Sequence, residues 1–121
     1  MTEIKNSKQY DLEERTATFA ERCCDFVKKL PKSVHNFEYG KQLIRSSGSQ
    51  AANYIEANEA LSKKDFIHRV KICRKEPKES CLWLRLCDIE DASSLQDERL
   101  GLTQEAIELR KIFNSIVDKS K

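Results

Sequence analysis

Two acidic pairs, Glu56 with Glu59 and Glu76 with Glu79, are the first residues whose type and spacing could do chemistry. Carboxylates three apart on a helix share a face, and inside a bundle they can bridge metal ions. A carboxylate-bridged site of that kind also draws a Glu-x-x-His from each of two helices. The chain has only His35 and His68, neither with Glu three residues before it, and Asp65-x-x-His68 is a single imperfect match. No metal or cofactor is expected. A structural polar cluster of Arg45, Asn53, Glu56 and Glu79 serves these residues better, because a carboxylate removed from water must be paired or hydrogen-bonded. Ordinary solvated glutamates are the alternative. Neither histidine has a cysteine or serine partner at local spacing, so no catalytic residue is assigned and the chain reads as a non-enzyme.

Five cysteines complete the reactive inventory. An odd number cannot pair completely, and no secretory h-region opens the sequence MTEIKNSKQYDLEER, so reduced thiols in a cytoplasmic protein are expected. Cys23, Cys73 and Cys81 fall on apolar helical phases, where free cysteine packs as a small hydrophobe. No CxxC supports metal or redox work.

The basic residues are more informative. From Lys63 to Lys78 seven positive side chains stand against Asp65 and Glu76, a local balance of +5 in a chain whose net charge is +2. Lys64, Lys71, Arg74, Lys75 and Lys78 project away from the apolar stripe of the same segment. They form either a solvated helix face or a surface that binds phosphate anions.

Helices must position these residues. Leu12, Thr16, Phe19, Cys23, Phe26 and Leu30 alternate spacings of four and three, which predicts a helix over 11–30 opened by Asp11 and ended by Pro31. A second helix is predicted over 38–60, with Leu43, Ile44, Ser47, Ala51, Tyr54, Ile55 and Asn58 inward. Its small run from Arg45 to Asn53 includes Gly48, which costs a helix about 1 kcal/mol relative to Ala. The run reads as a tight helix–helix contact, with a flexible break as the alternative. Ser62 caps a third helix predicted over 62–91, bent at Pro77 because the apolar phase survives across the proline. The segment 92–102 reads mostly as a connector, with a helical turn within it as the alternative, and Leu102, Ala106, Leu109, Phe113 and Ile116 predict the last helix over 103–119.

Four amphipathic stripes with short connections specify an all-α, antiparallel up-down-up-down four-helix bundle, one domain over residues 1–121. The core expected from them contains Phe19, Phe26, Ile55, Phe66, Leu84, Leu109 and Phe113. Composition agrees: 35% of the residues are charged while Gly and Pro together number only five, which disfavours strand-rich folds. No apolar run approaches the ~20 residues that cross a bilayer, so no membrane partner is expected. Tyr39, Tyr54, Ile72, Trp83, Leu86 and Ile89 exceed what one core conveniently holds. Ile72, Trp83 and Leu86 share a second face of the third helix and read as an oligomer interface.

The chain resembles the 23S rRNA-intervening-sequence protein family. The residues that carry the resemblance are Arg45-Ser46-Ser47 with Ala51-Ala52-Asn53-Tyr54-Ile55-Glu56-Ala57, then Phe66-Ile67-His68, then Glu76-Pro77-Lys78-Glu79-Ser80 followed by Trp83-Leu84. The chain departs from the family where a glycine is common at Ala57 and a helix-compatible residue at Pro77. The resemblance implies a four-helix bundle that assembles into a ring-shaped homopentamer, with a dimer as the alternative. It also implies kinship with accessory proteins of diversity-generating retroelements, which bind nucleic acid and a reverse transcriptase. Two functional expectations follow. One is a homo-oligomer that binds RNA or DNA through the basic strip; the other is a scaffold or accessory subunit that engages a protein partner and touches no nucleic acid.

Overall fold

The computed structural model describes the backbone of residues 2–121 and the side chains of residues 11–121. Four helices run in sequence: α1 (Thr2–Lys29), α2 (Val34–Asn58), α3 (Lys63–Leu86) and α4 (Ser93–Ser120). No strand occurs among the described residues. Helix α1 packs against α2 and α4, and α3 packs against the same two, so α1 faces α3 and α2 faces α4 only across the diagonals. With connections of a few residues, this is the expected up-down four-helix bundle. No described helix is long and apolar enough to cross a membrane.

The boundaries differ from the sequence reading wherever a cap or a phase was misread. Helix α1 already runs from Thr2, so Asp11 lies inside it and caps nothing. Helix α2 begins before residue 38 because Ser33, in extended geometry, accepts a 3.1 Å hydrogen bond from the Asn36 N–H. Ser62 plays the expected role for α3, accepting from the Asp65 N–H at 3.1 Å. Helix α3 stops at Leu86 and not at 91: Cys87 is extended, and Glu90 and Asp91 take left-handed φ values of 50° and 63°. Arg99 closes that end by donating to the Cys87 carbonyl at 2.8 Å. Pro77 is buried within α3, which continues through it as one helix.

The largest correction concerns 92–102, which is the first part of α4 and no connector. Its serines, Asp97 and Gly101 mimic a loop, but Leu95 and Leu102 keep phase with Ala106, Leu109, Phe113 and Val117, and all six are buried. Burial of a continuous stripe outweighs weak local propensity.

The core is built from Phe19, Cys23 and Phe26 of α1, Leu43 and Tyr54 of α2, Val70, Cys73 and Leu84 of α3, and Leu102, Leu109 and Phe113 of α4. The rings of Tyr54 and Phe113 meet at 5.5 Å between centroids. Ile55, expected inside, is 48% exposed, and Ile44 likewise faces out at 43%. Tyr54 and Ala57 occupy the inward positions of that turn, which rotates Ile55 a step of 100° away. Phe66 is partly buried at the rim of the core.

The small-residue run also divides differently than expected. Ser46, Ser47 and Gln50 are fully buried, but a Cβ at Gly48 would meet nothing within 4 Å. The close approach of α1 and α2 lies at Gly40, where a Cβ would stand 2.8 Å from Val27 Cγ1. Asn36 pins one end of the bundle. Its Nδ2 donates to the carbonyls of Pro31 (2.8 Å) and Asp88 (2.9 Å), and its Oδ1 accepts from the Asp88 N–H at 2.7 Å.

Candidate nucleic-acid interface

Helix α3 presents Lys64, Lys71, Lys75 and Lys78 at successive spacings of seven, four and three, which keeps them on one side of the helix. All four are exposed; Arg74, one turn-step toward α4, is half-buried. None of the five forms an ion pair among the described residues. Lys63, Lys64, Ile67, His68 and Lys71 line a shallow hollow at the N-terminal end of the strip.

Two acids of α3, Glu76 and Glu79, are engaged by Arg45 of α2. Glu76 is 3% exposed and receives Arg45 Nη1 at 3.5 Å, and Glu79 receives Arg45 Nη2 at 2.7 Å. Both carboxylates are thereby turned toward α2. Pairing with Arg45 offsets the charge of both carboxylates beside the lysine strip.

The expected polar cluster is brought together only in part. Arg45 meets Glu79, with Glu76 as a third member that the sequence reading did not include. Asn53 is engaged two turns away, accepting from Arg69 Nη1 at 2.9 Å and donating to the Ser49 carbonyl at 2.9 Å. Glu56 is exposed and joins neither group. Beside the Arg45 pair, Ser46 and Ser80 are buried and hydrogen-bonded at 2.7 Å.

Ile72, Trp83 and Leu86 do not form one open face. Trp83 is half-buried and stacked on Tyr39 with centroids 6.1 Å apart, Ile72 is half-buried, and only Leu86, at 39%, is exposed. Sequence reasoning missed the apolar surface that is exposed, Phe37, Ile44 and Ile55 on α2. Their spacings of seven and eleven were the available signal, masked because Ile44 and Ile55 also fit an inward stripe.

Cys23, Cys73 and Cys87 sit in the core, Cys81 packs against it, and Cys24 is half-buried outside it. Burial pushes Cys23 and Cys73 up to about 12 and Cys87 up to about 11, and it raises Cys81 as well. Such groups stay protonated and unreactive near neutrality. No group of three or more His, Cys, Asp or Glu side chains suited to a metal ion occurs among the described residues.

Comparison with known proteins bears on this geometry. The profile of a family described as 23S rRNA-intervening sequence protein matches residues 8–115. A crystal structure at 1.70 Å of a protein of unknown function from the S23 ribosomal protein family of Bacteroides thetaiotaomicron VPI-5482 superimposes with a TM-score of 0.78. The two are 30% identical, and the match covers 92% of this chain and 98% of the other. No curated protein matches.

Proposed function

The chain belongs to the 23S rRNA-intervening sequence protein family, and from that premise we propose a non-enzymatic, homo-oligomeric module that binds nucleic acid, RNA foremost, by phosphate contacts from α3. The observation that supports the proposal is the strip of Lys64, Lys71, Lys75 and Lys78, with Arg74 beside it, none of them ion-paired among the described residues, while the neighbouring acids Glu76 and Glu79 are engaged by Arg45. Lysines are compact, strongly hydrated charges that suit backbone contact, and the strip offers a single planar fork, Arg74, and no aromatic platform for reading bases. Little sequence preference is therefore expected. Assembly around a ring would repeat the strip and raise its affinity by multivalency. The resemblance to retroelement accessory proteins and the S23 ribosomal protein family of the solved relative are in keeping with an RNA partner in the cytoplasm.

The test is the binding of a generic single-stranded RNA followed by fluorescence anisotropy while salt rises from about 50 to about 200 mM. Neutralising several phosphates predicts a loss of affinity of about 10²-fold or more over that range. Absence of binding even at the lowest salt would remove the nucleic-acid reading. The scaffold reading would then stand in its place, supported by the exposed apolar residues Phe37, Ile44 and Ile55.

A further inference from the structure

We propose that the cleft between the end of α1 and the start of α2 is a docking groove for a protein partner, which enters it as an acidic peptide segment carrying apolar anchors. The cleft has a volume of about 510 Å³, inside the range of roughly 300–1,000 Å³ in which binding pockets fall. Val27, Leu30, Pro31, Phe37 and Ile44 supply its apolar lining. Phe37 is 67% exposed and Ile44 is exposed as well, so large apolar side chains here meet water that a bound side chain would displace. Val27 also rests on the backbone of Gly40, where a Cβ would lie 2.8 Å from Val27 Cγ1, and this contact fixes α1 against α2 beside the cleft.

Every charged side chain that lines the cleft among the described residues is a lysine. Lys28 comes from α1, Lys32 from the connector and Lys41 from α2, so each helix contributes one positive charge and the crossing between them a third. Lys41 Nζ stands 5.3 Å from the centre of the Phe37 ring, which sets a cation against an exposed apolar group. Lys28 and Lys41 reach Asp25 and Glu38 only at 4.0 and 3.9 Å, in pairs between exposed side chains of one helix that are worth little, and neither acid lines the cleft. Lys32 has no ion pair among the described residues. Helix α2 opens at Ser33, itself part of the lining, and its first turn holds no acidic residue, so the positive end of the helix adds the same sign.

Apolar lining and charge together select the occupant. A bilayer surface is flat and does not reach into a recessed lining, and a fatty acid brings a single carboxylate to three separated charges. A peptide carries several carboxylates on both sides of a leucine or phenylalanine, which is the complement of an apolar groove with lysines from three segments around it. A groove of this size buries less surface than a standard protein interface, so the contact belongs to the weak, transient class. The cleft shares no residue with the lysine strip of α3, whose first members follow the far end of α2, and peptide and nucleic acid therefore have separate footprints.

The experiment follows the anisotropy of the fluorescein-labelled peptide Glu-Asp-Leu-Asp-Phe-Glu-Leu-Glu as the full chain is titrated in, beside two control peptides. One control replaces Leu and Phe by Ala and keeps the charge; the other replaces the acids by Lys and keeps the anchors. The wild type should bind the first peptide at micromolar concentration and each control at least about tenfold more weakly. Lys32→Glu/Lys41→Glu and, separately, Phe37→Ser should each lower the affinity about tenfold or more. All three side chains are exposed, and unchanged circular dichroism and melting identify the variants as folded. No binding by the wild type, equal binding of either control peptide, or full affinity in both variants would overturn the proposal. So would two other results: cosedimentation of the wild type with phosphatidylserine vesicles that both variants lose, which assigns the cleft to a membrane surface, and a fall in the light-scattering mass of the variants, which assigns it to a second copy.

Discussion

Ser46 of α2 and Ser80 of α3 face each other with their hydroxyl oxygens 2.7 Å apart, and neither is exposed. Serine is what lets two helices approach closely while the pair satisfies itself. Ser46 also reaches the Leu43 carbonyl at 3.3 Å, whereas Ser80 has Ser46 as its hydrogen-bond partner. Ser46→Ala should therefore strand the Ser80 hydroxyl and cost about 1–3 kcal/mol. The double variant Ser46→Ala/Ser80→Ala should cost less than the two singles together, a non-additivity that urea unfolding measures directly.

Gly40 and Gly48 should respond to alanine with opposite signs. At Gly40 the new methyl would press on Val27, whose β-branched side chain has little room to rotate in a helix, and a loss of about 1 kcal/mol or more is expected. At Gly48 it meets nothing, so relief of the glycine cost should stabilise the folded chain by about 0.5–1 kcal/mol. Thermal unfolding of the two variants separates the cases, and equal shifts would contradict the α1/α2 geometry.

Phe113 is fully buried and Ile55 is 48% exposed. Phe113→Ala should cost about 3–5 kcal/mol, and Ile55→Ala should cost the folded subunit less than about 1 kcal/mol. Denaturant midpoints taken at low protein concentration, where assembly contributes least, provide the comparison.

Stability should fall at alkaline pH. Cys23 and Cys73 lose their protons at about 12 in the folded chain, and Cys87 at about 11, against 9.0 for an ordinary thiol. The unfolded chain therefore releases these protons first, so the stabilisation is complete below pH 9 and drains away as pH climbs toward 11–12. Each thiol contributes a slope of up to about 1.4 kcal/mol per pH unit in that window. Unfolding measured between pH 8.5 and 10.5 should show the decline, and Cys73→Ala should flatten it.

Reversing Lys64, Lys71 and Lys75 to Glu should abolish RNA binding and leave the mass in solution unchanged. Single neutralisations such as Lys71→Gln should lower the salt slope of binding by about 1 without altering any preference among sequences. A variant that loses assembly along with RNA binding would show that the strip serves the contact between copies.

The stripes Phe19/Cys23/Phe26 and Leu102/Ala106/Leu109/Phe113 were legible from the sequence because each repeats at the helical period, and burial of such a stripe fixes both the helix and its inward side. The lysine strip was legible for the same reason: its residues are excluded from that side. The α4 start was not, since Ser93, Ser94 and Gly101 carry loop propensity that only the packing of Leu95 and Leu102 overrides. Nor could the sequence say that Arg45 would gather Glu76 and Glu79 while leaving Glu56 in water, because those residues lie about thirty positions apart and their meeting depends on how α2 and α3 are rotated. The same rotation turned Ile44 and Ile55 outward. Periodicity gives each helix an apolar direction to within about one residue's 100° step; the choice between adjacent candidates, Tyr54 or Ile55, Gly40 or Gly48, belongs to the three-dimensional packing of the neighbouring helices.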